Sequence, residues 1–325
     1  MNMAAVLDSL GADKHEGQQS PGSRGHLIAL AAVLSGLVIL GAAWPPLELG
    51  GLGSLLQSFL PWLGLSVPLL IALAAVRRSP VAAAAVLVPA VAWSCAFGGL
   101  FLGRDSGLKG DVTVVSHNVH DANPDPVGTA HGLAASGAEL VALEELTPKT
   151  SIVYEKALAS AYPYHAVRGT VGLWSVYPLQ DVQAVAIMPW TRALHATADT
   201  PEGPLAVYVG HLASIRLRLD VGFTTERRND SADKLAAAVR AEPLPRVVVV
   251  GDFNGTTDDT ALRALTGQLR STQVSAGHGF GFTWPATFPV VRIDQILVKG
   301  VTTVSSWTLP RTGSDHLPVA ASLRL

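Results

Sequence analysis

The sequence predicts a chain in two parts, an all-α apolar segment followed by one α+β domain. Three observations predict it. Only 15% of the 325 residues are charged and the mean hydropathy is +0.34, against about a quarter charged in an ordinary soluble protein. That apolar excess lies almost wholly before residue 103. From Asp111 onward, short β-branched runs alternate with helical stretches, and several runs end directly in polar residues, as at a sheet edge that carries chemistry.

The elements follow in chain order. Residues 1–26 are polar and without periodicity, so a disordered tail is expected. Residues 27–103 read as a transmembrane anchor of about three helices, over 27–44, 54–76 and 81–102. Each run is near the roughly 20 residues that cross hydrocarbon. Gln57, Pro61 and Pro68 weaken the second run and leave re-entry as its alternative. A signal peptide fits the first run poorly, because its polar leader is long and no small-residue cleavage site precedes the next run.

Orientation follows from the basic residues in short flanks. Lys14 and Arg24 lie in the tail, residues 45–53 hold no Lys or Arg, and Arg77 and Arg78 stand together in the second loop. This places the N-terminus in the cytoplasm and everything after Leu102 outside a multi-pass cell-membrane anchor. Arg104 and Lys109 oppose that mildly. Cys95, in an apolar run, is the single cysteine, so no disulfide or thiolate metal site forms within the chain. A cysteine-free domain is compatible with an oxidising exterior.

Residues 104–110 read as a linker and 111–325 as the catalytic domain. Strands are expected over 112–116, 140–143, 206–210, 247–250, 293–298 and 319–323, and helices over 126–136, 151–160 and 226–240. At or just after the strand ends stand Asn118, Glu145, His211, Asp252 with Asn254, and Asp315 with His316. Glu145, Asp252 and Asp315 are hard oxygen donors suited to Mg²⁺, with Mn²⁺ an alternative. Asn118 and Asn254 orient water or a phosphate oxygen without adding charge. His211 and His316 move protons near neutral pH. Asp294, inside an apolar run, wants a partner and is suited to hold a histidine in one tautomer. Such a set fits metal-assisted attack of water on phosphorus. Taken singly these are ordinary turn residues or surface histidines. His117, His120, His165 and His278 are assigned nothing. Arg216, Arg218, Arg227 and Arg228 are either phosphate ligands or solvated charges.

Six segments in order carry a resemblance. Ser116-His117-Asn118-Val119, Leu140 to Glu145, Gly210-His211-Leu212, Gly251-Asp252-Phe253-Asn254, Arg292 to Leu297 and Ser314 to Val319 resemble the motifs of the endonuclease/exonuclease/phosphatase superfamily. Thr283-Trp284-Pro285 is similar to the segment before its penultimate motif. The resemblance covers 111–325 and implies a four-layered α/β/β/α sandwich with two mixed sheets. It implies Glu145 as main metal ligand, supported by Asn118 and Asp315. It implies that Asp252, and His316 paired with Asp294, position or activate the water, while Asn254 and His211 contact the phosphate. The base stays open between these groups. Two residues depart from the family pattern: Glu144 stands where Gln is usual, and Val176 where a basic residue is common.

The superfamily's substrates range from nucleic acids to phospholipids, so fold does not choose among them. Net charge is −2, and residues 111–325 hold 17 Lys and Arg against 20 Asp and Glu. There is no strong nucleic-acid signal, since a nuclease normally gains affinity from a basic surface. A membrane tether favours a lipid-borne substrate. Motifs and architecture together resemble the VanJ-type teicoplanin-resistance membrane proteins, which implies a lipid-linked phosphate such as undecaprenyl pyrophosphate. The alternatives are a membrane-tethered extracellular nuclease or phosphodiesterase, and a non-catalytic binding module.

Overall fold

The structure is a computed structural model that describes residues 23–43, 51–102, 109–218 and 222–325. Most of the expected tail, residues 44–50 of the first loop, Arg104 and most of the linker lie outside the described residues, as do the side chains of Arg24, Arg216 and Arg218. The described residues form two compact units, those within Met1–Ile39 and Leu63–Ala92, and those within Leu40–Trp62 and Trp93–Leu325.

Helices α1 (Ser23–Ala43), α2 (Gly51–Ser58), α3 (Ser66–Val76), α4 (Pro80–Ala85) and α5 (Leu87–Phe97) precede the sheets. In the first unit, Ala32, Leu70 and Val86 bury one another, and the Ser35 and Ser66 hydroxyls hydrogen-bond at 2.8 Å. A Cβ on Gly36 would stand 2.7 Å from Val88, the close approach that small residues allow between apolar helices. Ser79 caps α4 through the Ala82 N–H, with Pro80 as its first residue. Among the described residues, two segments, Gly25–Ala42 and Pro80–Leu100, are long and apolar enough to cross a membrane. A third exists only if the bent pair Gly51–Ser58 and Leu60–Val76 counts as one span.

The unit boundary does not fall at residue 103. Residues 51–62 and 93–102 pack within the second unit. Trp62 donates from Nε1 to the Val290 carbonyl at 2.7 Å and stacks on Phe282 at 5.7 Å. Phe280 meets Trp93, Phe97 and Phe101 with centroids 6.1, 5.7 and 5.3 Å away. These residues read as anchor by composition, yet their aromatic rings cover the domain.

Fourteen strands follow among the described residues. They are β1 (Val112–Asn118), β2 (Leu140–Glu144), β3 (Tyr164–Arg168), β4 (Val171–Ser175), β5 (Leu179–Ala184), β6 (Ala193–Thr200), β7 (Gly203–Gly210), β8 (Arg216–Arg218), β9 (Gly222–Thr224), β10 (Val247–Asp252), β11 (Arg270–Ser271), β12 (Asp294–Lys299), β13 (Thr302–Thr308) and β14 (Val319–Arg324). One mixed sheet runs β13-β14-β1-β2-β4-β3, the other β11-β12-β10-β7-β6-β5, and β8 with β9 forms a small ribbon. Between the strands come α6 (Pro126–Ala134), α7 (Pro148–Leu158) and α8 (Glu226–Arg240). Asp125 caps α6, and Thr147 with Thr150 closes a capping box on α7.

Alternation along each strand builds the layers. Val112 and Val114 of β1 point between the sheets with Val248 and Val250 of β10. Val115 points outward onto Leu133 of α6 and Leu158 of α7. Val247 and Val249 point outward onto Leu235 and Val239 of α8. The result is the four-layered α/β/β/α sandwich with two mixed sheets. Each expected strand and helix has its counterpart. The parallel pairs β1–β2 and β7–β10 bring the ends of four strands to one edge.

Candidate active site

The strand register sets the cleft. Asn118 lies opposite Glu144 in the β1–β2 pair, and Asp252 lies opposite Asp294 in the β10–β12 pair. Gly251 lets β10 end against β7: its φ is +140°, and a Cβ there would meet the Gly210 carbonyl oxygen at 1.8 Å. Only glycine fits such an approach. Just past the strands, Glu145 and Asn254 turn into the left-handed region at φ 62° and 47°. Non-glycine residues pay conformational energy there, which is common where a side chain must be aimed.

All eight residues singled out from the sequence come to this edge. The Asp252 carboxylate accepts from Asn118 Nδ2 at 3.0 Å and from the Asn254 backbone N–H at 2.8 Å. His211 Nε2 stands 3.7 Å from both Glu145 and Asp252. His316 Nε2 stands 3.9 Å from Asp252, while its Nδ1 meets both Asp294 oxygens at 3.0 and 3.1 Å. Asn254 donates from Nδ2 to the Leu212 carbonyl at 3.1 Å. Asp315 lines the same cleft as Glu145, Asp252, Asn254 and His316. Val176, one of the two departures, is half-buried against the outer core beneath α6 and α7.

Electrostatics differentiates the groups. Burial pushes the Asp252 carboxyl up to about 7, with His316 opposing and Asp294 adding to the shift. Burial would lower His316, but the charge and hydrogen bond of Asp294, helped by Asp252 and Asp315, raise it to about 10. Burial, Arg192 and His316 together push His211 well down. His316 is therefore held as imidazolium and His211 as neutral imidazole, contacted by the Arg192 guanidinium.

Asn118 hydrogen-bonds the Asp252 carboxylate, and Glu145 and Asp315 line the same cleft as Asp252; these hard oxygen donors suit a divalent cation. Among the described residues, two groups of side chains are close enough to share an ion, His120 with Asp121 and Glu145, and Asp252 with Asp294 and His316. His120 is the residue missed from the sequence. Its Nδ1 lies 3.5 Å from Asp315 and 3.7 Å from Glu145. It follows Asn118 by two positions, and that adjacency is the only signal it offers. Trp284 also reaches in, donating from Nε1 to Asp315 at 3.3 Å.

Two of the arginines receive answers. Arg228 is fully buried and paired with Asp259 at 2.7 Å, so it is no phosphate ligand. Arg227 is exposed. His117 is buried, with Nε2 at 2.9 Å from the Thr312 hydroxyl, and burial lowers its pKa to about 3.

The model of the endonuclease/exonuclease/phosphatase family matches residues 115–316. No curated protein matches the chain. Among solved structures, TDP2 of D. rerio complexed with single strand DNA product superposes with a TM-score of 0.55 at 18% identity, over 66% of this chain and 99% of that one. A mannosyl-6-phosphatase of Bacteroides thetaiotaomicron gives 0.53 at 18%, over 66% and 100%. An endonuclease/exonuclease/phosphatase from Beutenbergia cavernae gives 0.54 at 17%, over 67% and 72%. At these identities the likeness is one of fold.

Proposed function

The chain belongs to the endonuclease/exonuclease/phosphatase family, whose members are metal-dependent phosphoester hydrolases, and from that premise we propose that it hydrolyses a lipid-linked phosphate or pyrophosphate at the outer face of the cell membrane. Undecaprenyl pyrophosphate is the leading candidate, and glycopeptide (teicoplanin) resistance is the role that the VanJ-type resemblance suggests. One observation carries the reading: helices long and apolar enough to cross a membrane share a chain with a phosphoesterase domain. A tether confines the domain to the surface where a lipid-borne phosphate is concentrated, and gives a free polynucleotide nothing. The excess of basic over acidic residues expected of a nuclease surface is missing.

The residues divide the work as follows. Glu145, Asp315 and Asn118 are the residues that would hold a divalent cation such as Mg²⁺, which when bound would supply charge neutralisation at the phosphoryl oxygens. Asp252, with its pKa near neutrality, takes a proton from the attacking water. His316, held charged by Asp294, donates toward a non-bridging oxygen and stabilises the negative charge that grows there. His211 and Asn254 orient the phosphoryl group. The water oxygen bonds to phosphorus, the bond from phosphorus to the bridging oxygen breaks, and the departing phosphate takes up a proton.

The test is phosphate release from undecaprenyl pyrophosphate by the purified full chain in nanodiscs, with Mg²⁺ or EDTA, beside Asp252→Asn and a duplex-DNA control. The expected result is Mg²⁺-dependent release that falls at least about 100-fold in the variant, with DNA left intact. DNA cleavage without lipid turnover would replace this reading by a tethered nuclease.

A further inference from the structure

The cleft that holds the catalytic residues is not walled by the family domain alone. Its volume is about 360 Å³, and Leu55, Phe59, Ile215, Trp284 and Val291 line it beside Glu145, Asp252, Asn254, Asp315 and His316. Ser58 and Ser214 are the two hydroxyls in the lining. Leu55 and Phe59 belong to α2 and the turn after it, more than fifty residues before the family match begins at residue 115. They are four apart, so they share one face of the helix. Phe59 is 37% exposed and Leu55 half-buried, which leaves apolar surface facing the cleft rather than a core.

That wall is fastened. Away from the cleft, α2 carries Ser54 and Gln57, both buried. Ser54 accepts from Arg228 Nη2 at 2.9 Å and donates to Asp259 at 3.2 Å. Gln57 accepts from the Thr260 backbone N–H at 3.0 Å. Arg228 also donates from Nη1 to the carbonyl of Asn254 at 3.1 Å, so the same side chain holds α2 and the catalytic loop. Polar groups buried with partners at this density fix one arrangement.

A phosphoryl group is served by the polar floor alone. A sugar or nucleotide behind it would want several hydrogen-bonding partners, and the α2 side offers the carbon of Leu55 and Phe59 with the single hydroxyl of Ser58. A hydrocarbon chain wants that carbon, since each methylene removed from water gains about fourfold in binding. We propose that Leu55 and Phe59 form an apolar subsite, contributed by the segment before the catalytic domain, that receives the first isoprenoid or alkyl units behind the scissile phosphate. This rests on the lipid-linked reading and specifies which residues select the lipid. Selection resides in α2, outside the fold shared with phosphatases and nucleases.

The experiment compares dimethylallyl, geranyl and farnesyl pyrophosphates as substrates of the full chain in nanodiscs with Mg²⁺, reading kcat/KM for each. Wild type should prefer farnesyl over dimethylallyl. In Leu55→Ser/Phe59→Ser that preference should shrink at least about tenfold, chiefly through KM for the long chain. Phe59→Leu should keep it. Should the double variant not fold, Phe59→Ser alone carries the test, at a position already open to solvent. An undiminished preference in a folded variant would overturn the subsite while leaving the lipid-linked reading standing. Failure of wild type to turn over any member of the series would remove the reading itself.

Discussion

Glu144 lies wholly inside the protein, with one carboxylate oxygen accepting from the Ser116 hydroxyl at 3.0 Å and the other without a hydrogen-bond partner. Burial, and then the charge of Asp294, push its pKa well above the ordinary 4.5. The fold therefore keeps a proton that the unfolded chain releases. Stability falls as pH rises above about 4.5, by up to about 1.4 kcal/mol per pH unit. Glu144→Gln supplies an amide that needs no proton and keeps the bond to Ser116. Its thermal midpoint between pH 5 and 8 should decline less steeply than that of wild type; equal slopes would show that Glu144 is ionised in the fold. Residues of this kind were partly legible. Asn118, Glu145, His211, Asp252, Asn254, Asp294, Asp315 and His316 stand at or just beyond strand ends in recognisable order. His120 has no periodic signal, because its position between Glu145 and Asp315 is a property of the folded cleft. Arg228 was indistinguishable from Arg227 in sequence, yet one is buried and the other exposed.

At the scale of elements, α2 is held by an ion pair that is fully buried on both sides, Arg228 with Asp259. Arg228→Ala strands a buried carboxylate, and such losses cost about 3–5 kcal/mol. The double variant Arg228→Met/Asp259→Leu removes both charges and should recover most of that loss in chemical denaturation. A double variant as unstable as the single one would mean that the arginine's packing, not its charge, fastens α2. The buried strands β1, β2, β7, β10, β12 and β14 were readable because each is a run of Val, Leu, Ile or Ala. Strands β3 and β5 were not, since edge positions leave most of their side chains exposed and weaken the hydrophobic pattern. Helix α2 carried the opposite ambiguity. Its composition belongs to a span, while Ser54 and Gln57 make the hydrogen bonds of a domain.

For the whole molecule, the proposed orientation, argued from the basic residues around the spans, puts the domain outside the cell. With Cys95→Ser as background, Ile152→Cys puts a single thiol on α7 at a position 67% exposed. A membrane-impermeant maleimide should label it in intact cells as fully as in lysed ones; labelling only after lysis would invert the topology. By itself the sequence determined the apolar N-terminal segments, the α+β domain, the family and the order of the eight residues proposed for the site. These are local properties, carried by composition, by alternation along strands and by motifs of three to six residues. Only the tertiary structure decided that Leu55 and Phe59 share a cleft with Asp252 and His316, that Arg228 is a clasp, and that Glu144 is driven toward its neutral form. Burial and pairing depend on which distant segments meet, and that is settled by packing over nearly the full length of the chain.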